Sequence, residues 1–384
     1  MRADRARVVR LLQALVATES VNPSLVPGGA GERAIAELIA AECLAMGLEV
    51  RVDEVAPNRP NVIARLVGRR AGPRLLLCGH TDTVSAAGMA EPFSGRVDGD
   101  RLYGRGAYDM KGGVAAILEA ARLVAGAGLP AGELVAAFVV DEEYASLGAA
   151  DLVSRERADA AVIAEPTALD LCVAHKGFLW ARLETAGRAA HGSRYDAGDD
   201  AITRMGHVLV ALDRLEREVL PQRTHPLLGR ASLHAATIEG GLGWSTYPDR
   251  CVLAVERRLL PGERDADVLA ELEAVLRQAA ERSPGLQGSV AVVMSRPPFE
   301  IARDAPVVRA LVASVQAAGG RTPRLVGEHP WFDAALLGAA GVPTVIFGPA
   351  GAGAHAAEEW VDVPSVVTCA EVLADLTRRW CAAT

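Results

Sequence analysis

Two histidines and five carboxylates fall at the ends of predicted strands or in the loops after them. They are His80 and Asp82 in "LLLCGHTDTV" (75–84), Asp109 in "GRGAYDMKGG" (104–113), Glu142 and Glu143 in "DEEYASLGA" (141–149), Glu165 in "AEPT" (164–167), and His355 in "FGPAGAGAHAAEEWV" (347–361). No cysteine is among them. Imidazole nitrogens with carboxylate oxygens suit a borderline divalent ion, and zinc is the leading choice, with cobalt or manganese compatible with the same donors. One carboxylate held between two ions about 3.5–4 Å apart makes a two-metal hydrolytic centre. In such a centre a further glutamate stays off the ions and moves protons. Adjacent glutamates at a strand end can divide these roles, because neighbouring strand side chains point in different directions. Each residue alone has an ordinary structural explanation: His80 a satisfied core histidine, Asp82 a turn residue, "DEEYAS" an acidic first helical turn. Their joint occurrence at the ends of apolar strands of one sheet favours the metal reading.

The elements that must position them are legible in the patterning. Leu75, Leu76 and Leu77 form a continuous apolar run, as in a strand covered on both faces, and "ELVAAFVV" (133–140) and "AAVI" (160–163) read the same way. Val8, Leu11, Leu12 and Leu15, then Ile35, Leu38, Ile39 and Cys43, recur at helical spacing, and strands are predicted near 47–54, 61–67 and 74–78. Val114, Ile117, Leu118 and Ala121 place a helix just past Asp109. This alternation predicts an α/β domain with a mostly parallel central sheet and helices on both faces, whose strand-end loops meet in one crevice. From about residue 178 the texture becomes partly alternating, in "FLWARLETAG", "ASLHAATIEG" and "DRCVLAVERR", with helical stretches near 199–218 and 265–281 and a last strand at 288–294. An antiparallel sheet with one covered face follows. Helix and strand patterns return at 305–317, 331–340 and 343–347. The organisation is therefore a first domain in two parts, 1–177 and 295–384, with an α+β insertion at 178–294.

The 384 residues exceed one ordinary core. A net charge of -8 argues against nucleic acid and anionic membrane surfaces as partners. The six cysteines (43, 78, 172, 251, 369 and 381) contain no C-x-x-C and read as reduced thiols. The N-terminal "MRADRARVVRLLQALV" is amphipathic rather than a signal peptide, and no stretch reaches the roughly 20 apolar residues of a membrane span, so a cytoplasmic protein is expected.

These stretches, together with "GRAAHGS" (187–193) and "ERRLLPGE" (256–263), occur in the order found in a known family. The chain resembles the dizinc metallopeptidase and aminoacylase family of acetylornithine deacetylase, succinyl-diaminopimelate desuccinylase and glutamate carboxypeptidase. The resemblance implies that Asp109 bridges two metal ions, that His80 and Glu165 complete one site, and that Glu143 and His355 complete the other. It makes Asp82 the partner that orients His80, and Glu142 the general base acting on a dizinc-bound hydroxide. It also implies a cis Asp109–Met110 peptide. The insertion is similar to that family's lid and dimerisation domain, which implies a homodimer. There His191 matches a histidine that stabilises the tetrahedral oxyanion, in some members from the neighbouring subunit, and Arg258 an arginine that grips a substrate carboxylate.

Two departures bear on substrate. Ser245, in "GWSTYPD", stands where many relatives have an asparagine, which puts selectivity for succinyl-diaminopimelate in doubt. Trp331 and Phe332 precede Asp333 where relatives often carry small or polar residues, and an aromatic pair there can line an apolar pocket or serve packing. His175, His207, His225, His234 and His329 match no ligand position and read as structural. The expected function is hydrolysis of the amide bond of N-acyl amino acids. A carboxypeptidase or dipeptidase of the same family is the alternative within that chemistry, and a catalytically silent metal- or ligand-binding relative the alternative outside it.

Overall fold

The computed structural model describes residues 1–382, which form two compact units: 1–173 with 301–326 and 332–382, and 174–300 with 327–331. In the first unit the central sheet runs Glu49–Ala56, Arg59–Val67, Glu133–Val139, Arg74–His80, Ala160–Ile163, Thr344–Ile346, Leu171–His175. The pairings of Arg74–His80 with Glu133–Val139 and Ala160–Ile163, and of Ala160–Ile163 with Thr344–Ile346, are parallel. The outer pairings are antiparallel, which makes the sheet mixed. Glu49–Ala56 and Arg59–Val67 are joined by two residues, a link too short for anything but an antiparallel return. Leu75, Leu76, Leu77 and Cys78 are all buried, as the continuous apolar run requires.

Helices Arg5–Ala17, Arg33–Ala45, Gly112–Ala127, Leu147–Arg155, Pro306–Gly319 and Val363–Ala382 flank this sheet. Val8, Leu11, Leu12, Leu15 and Val16 bury one stripe of the first, whose N-terminus is capped by the Asp4 carboxylate. Two glycines allow the backbone approaches that the chemistry depends on. A Cβ at Gly113 would lie 2.0 Å from the Ala164 carbonyl oxygen, and one at Gly348 2.2 Å from that of Glu165. The loop carrying Glu165 is thereby packed directly against a helix start and the loop after Thr344–Ile346. A small antiparallel sheet, Val97–Asp98, Arg101–Tyr103, Trp360–Asp362 and Gly351–Ala352, completes the unit.

The second unit has a four-stranded antiparallel sheet in the order Ser232–Gly240, Arg250–Leu259, Gly177–Ala186, Gln287–Arg296. Leu179, Ala181 and Leu183 from the third of these face Met205 and Val208 of Ala201–Arg214 and Leu272 and Val275 of Asp265–Arg282 in one core. Alternation along Arg250–Leu259 puts Arg257 inside and Arg258 on the opposite face. Among the described residues, no helix is long and apolar enough to cross a membrane.

Candidate metal centre and active site

Five chain segments of the first unit bring His80, Asp82, Asp109, Glu142, Glu143, Glu165 and His355 together. His80 ends the strand Arg74–His80 and is buried. Its Nε2 lies 3.3 Å from Asp109 Oδ1 and 3.4 Å from Glu165 Oε1. The other oxygen of Asp109, Oδ2, lies 3.4 Å from His355 Nε2, which is also 3.1 Å from Glu143 Oε2. Asp109 thus offers one oxygen to each histidine. Two overlapping donor groups result: His80, Asp109 and Glu143 in one and His80, Glu142 and Glu165 in the other, the ligand atoms within each lying within 4.8 Å of one another.

Local backbone geometry explains how the carboxylates arrive. Asp109 lies in a tight turn over Ala107–Lys111 entered through Gly106 at φ 78°, and the Asp109–Met110 peptide is cis. Glu359 holds this turn from outside, accepting from the main-chain N–H groups of Gly106, Tyr108 and Asp109, each at 3.0 Å, while Arg105 donates to it at 2.7 Å. His355 is not at the end of a central strand. It sits at φ 61° in the turn between Gly351–Ala352 and Trp360–Asp362 of the small sheet.

Glu142 and Glu143 likewise lie beyond the strand Glu133–Val139, in a turn opened by Asp141 at φ 69°. Their divergence comes from this turn and not from a strand pleat. The turn is anchored by the Asp82 carboxylate, which accepts from Glu142 N at 3.1 Å, Glu143 N at 3.2 Å and Asn22 Nδ2 at 2.8 Å. His80 Nδ1 is 3.0 Å from the main-chain oxygen of Asp82 and 3.5 Å from its carboxylate. Asp82 therefore orients His80 chiefly through its carbonyl and the Glu142–Glu143 turn through its side chain.

Behind the turn, Asp141 pairs with Arg59 at 2.7 Å, and Arg59 Nε donates to Glu32 at 2.8 Å; all three are buried. Removing the cation would leave two uncompensated buried carboxylates. Arg59→Met is accordingly expected to cost about 3–5 kcal/mol of stability. Thermal and urea unfolding of the variant would measure this, and a transition unchanged from wild type would refute the anchoring role.

The electrostatics follow from crowding. Burial pushes the Glu142 and Glu165 carboxyls well above the ordinary carboxylate range, His80 opposing and neighbouring carboxylates reinforcing it. Burial and then Asp109 raise Glu143 in the same sense. Burial disfavours a charged His80, but Glu165, Asp109 and Asp82 outweigh it and raise its pKa well above the usual value. His355, bonded to Asp109 and Glu143, is raised to about 10. Burial works against ionised Asp109 as well, and the bonds to His355 and His80 overcome it, so its pKa falls. A divalent cation would relieve the repulsion among these carboxylates. The buried Glu165 Oε2 has no hydrogen-bond partner among the described residues, which fits a donor reserved for a metal. Oxygen and nitrogen donors without sulfur fit zinc, cobalt or manganese.

The remaining sequence-predicted residues, His191, Ser245, Arg258 and Trp331, lie in the second unit. His191 is exposed, its Nδ1 2.9 Å from Ser193 Oγ, and its loop is stitched to the Ser245 loop by a bridge to Thr246 and by Gly192 N donating to the Ser245 carbonyl at 2.8 Å. Arg258 pairs with Glu256 at 2.6 Å beside the Phe178 ring. Trp331 donates from its indole N–H to the Pro297 carbonyl at 3.0 Å and packs edge-on to His175. Sequence reasoning missed Asn22, Arg59, Asp141 and Glu359. Only Glu359, beside another glutamate four residues past His355, carried a local signal.

The family model described as peptidase family M20/M25/M40 matches residues 76–379. An acetylornithine deacetylase from Myxococcus xanthus is 31% identical over 339 residues, covering 86% of each chain. An N-formyl-4-amino-5-aminomethyl-2-methylpyrimidine deformylase from Bacillus subtilis (strain 168) is 27% identical over 370 residues, covering 88% of this chain and 86% of its own. In fold, a tripeptidase from Staphylococcus aureus superposes with a TM-score of 0.83 at 22% identity over 100% of both chains. The chain belongs to peptidase family M20/M25/M40 and is a metal-dependent hydrolase.

Proposed function

We propose that the chain hydrolyses the amide bond of N-acyl amino acids at a two-metal centre in its first unit. The observation that carries this reading is the placement of Asp109, whose two oxygens face His80 and His355 separately. His80 with Glu165 would hold one ion and His355 with Glu143 the other, with Asp109 common to both and zinc the leading ion. Ions bound there would polarise the scissile carbonyl and lower the pKa of water.

Glu142 is the group left to move the proton. It takes a proton from the attacking water and returns it to the departing amine, and burial supplies the raised pKa that this exchange needs. Asp82 fixes the turn from which Glu142 reaches the reacting atoms. The second unit acts as a lid, with His191 donating to the oxyanion and Arg258, Ser245 and Trp331 facing substrate, and the lid is also the surface through which two chains would pair. The identity to an acetylornithine deacetylase supports an acyl amino acid substrate for this chain.

Amine release from N-acetyl, N-succinyl and longer N-acyl amino acids, run beside simple dipeptides and a chelated control, tests the reading. Chelator-sensitive release from one acyl class is expected. Release confined to dipeptides would replace the deacylase with a dipeptidase, and silence across the panel would refute both.

A further inference from the structure

Arg105 lies just before the Asp109 turn and is 3% exposed. Its guanidinium donates to three segments: Nη1 to Glu359 Oε2 at 2.7 Å, Nη2 to the Ala356 carbonyl at 2.9 Å, and Nε to the Ser85 carbonyl at 2.9 Å. Ser85 follows His80 and Asp82 in the chain, and Ala356 directly follows His355. Glu359, 1% exposed, answers from the other side. One of its carboxylate oxygens accepts from Tyr108 N and Asp109 N and the other from Gly106 N, while its carbonyl accepts from Gly104 N at 3.1 Å. A single buried ion pair thus ties the loop after His80, the Asp109 turn and the His355 turn to one another.

The two histidine sides of the centre are built unequally. The His80 side chain is 1% exposed, ends a strand paired on both sides, and has its Nδ1 on the Asp82 carbonyl. Glu165 lies on a loop packed closely against Gly348, with the Ala164 carbonyl against Gly113. The His355 side chain, by contrast, is 55% exposed and stands on a turn at φ 61°. Pairing of Gly351–Ala352 with Trp360–Asp362 holds the stem of that turn, and Arg105 reaches its tip at Ala356. A pair that served stability alone would have no need to end on the main chain of three ligand-bearing segments. The planar guanidinium fork suits this three-way contact, which the single nitrogen of a lysine cannot span.

We propose that Arg105 and Glu359 are positioning residues of the hydrolytic centre, which lock the His355 turn to the Asp109 turn. The ion that His355, Glu143 and Asp109 would hold depends on this lock. The ion beside His80 and Glu165 does not, because that side has its own strand and loop packing. The consequence for the ions rests on the proposed two-metal reading, whereas the coupling of the two turns does not.

Hydrogen–deuterium exchange of the metal-free full chain tests the coupling. Glu359→Gln keeps an acceptor oxygen but loses the ion pair, and Arg105→Lys keeps the charge but loses the fork. In both variants exchange should quicken together at 104–111 and 353–359, while 75–80 and 160–165 stay as protected as in wild type. Quickening at one turn alone, or at neither, would overturn the proposal. Quickening throughout the chain would mark the pair as a general stabiliser and overturn it equally. Zinc loading then tests the consequence. Wild type should hold two ions per chain and each variant one, with kcat lowered by about 10²-fold, the scale of an ångström's misplacement at a reacting centre. Raising free zinc should return the second ion. Loaded with cobalt, the variants should match the ion count and absorption spectrum of His355→Ala, which identifies the ion lost. Variants that keep both ions would remove the positioning role. A wild type holding fewer than two ions would instead sink the two-metal reading, and the exchange result would still decide whether the turns are coupled.

Discussion

Glu142→Gln should keep its metal ions and lose amide hydrolysis by roughly 10²- to 10⁴-fold, the usual contribution of a positioned general base. The substitution preserves shape and the main-chain bond to Asp82, so the turn survives and only the proton acceptor is lost. The experiment also decides between two roles that the structure brings close together. Glu142 shares a donor group with His80 and Glu165, which is compatible with metal ligation. Its neighbour Glu143 instead meets His355 at 3.1 Å. Metal analysis beside kinetics separates the roles: full metal content with collapsed kcat identifies the base, whereas a lost ion identifies a ligand. Near-normal turnover would exclude both.

Asp109→Ala should empty both metal sites and bring hydrolysis down to the level of the chelated enzyme. The reason is geometric. A residue serving one ion would leave the second in place when removed, but Asp109 Oδ1 faces His80 and Oδ2 faces His355. Elemental analysis of the purified variant gives the ion count per chain. Retention of one tightly held ion would mean that Asp109 does not bridge. Metal returned to chelated wild type should restore activity, and metal returned to Asp109→Ala should not.

The legible parts of this protein were those written in short-range pattern. Leu75–Leu77 and "ELVAAFVV" announced strands buried on both faces, and helical spacing at 114–121 placed Asp109 in the loop before a helix. The seven chemical residues were visible because they fall at the ends of predicted apolar strands or in the loops after them. Apart from Glu359, which stands in a glutamate pair shortly after His355, their supports were not visible. Asn22 reaches Asp82 across 60 residues, Arg59 reaches Asp141 across 82, and Glu359 reaches Asp109 across 250. Each is a polar residue of ordinary type in an ordinary loop or strand end, and only the folded chain reveals that it is buried and paired.

What the sequence determined by itself is therefore the α/β framework, the separate antiparallel sheet and a set of histidines and carboxylates with donor chemistry suited to a metal ion, because hydrophobic period and donor chemistry are local properties. Tertiary structure alone decided how those groups divide. It split the two oxygens of Asp109 between two histidines, used positive-φ turns at Asp141 and His355 to aim Glu142, Glu143 and His355, and gave the Asp82 side chain to the turn and its carbonyl to His80. These are matters of distance and direction between segments far apart in the chain, and residue type does not encode them.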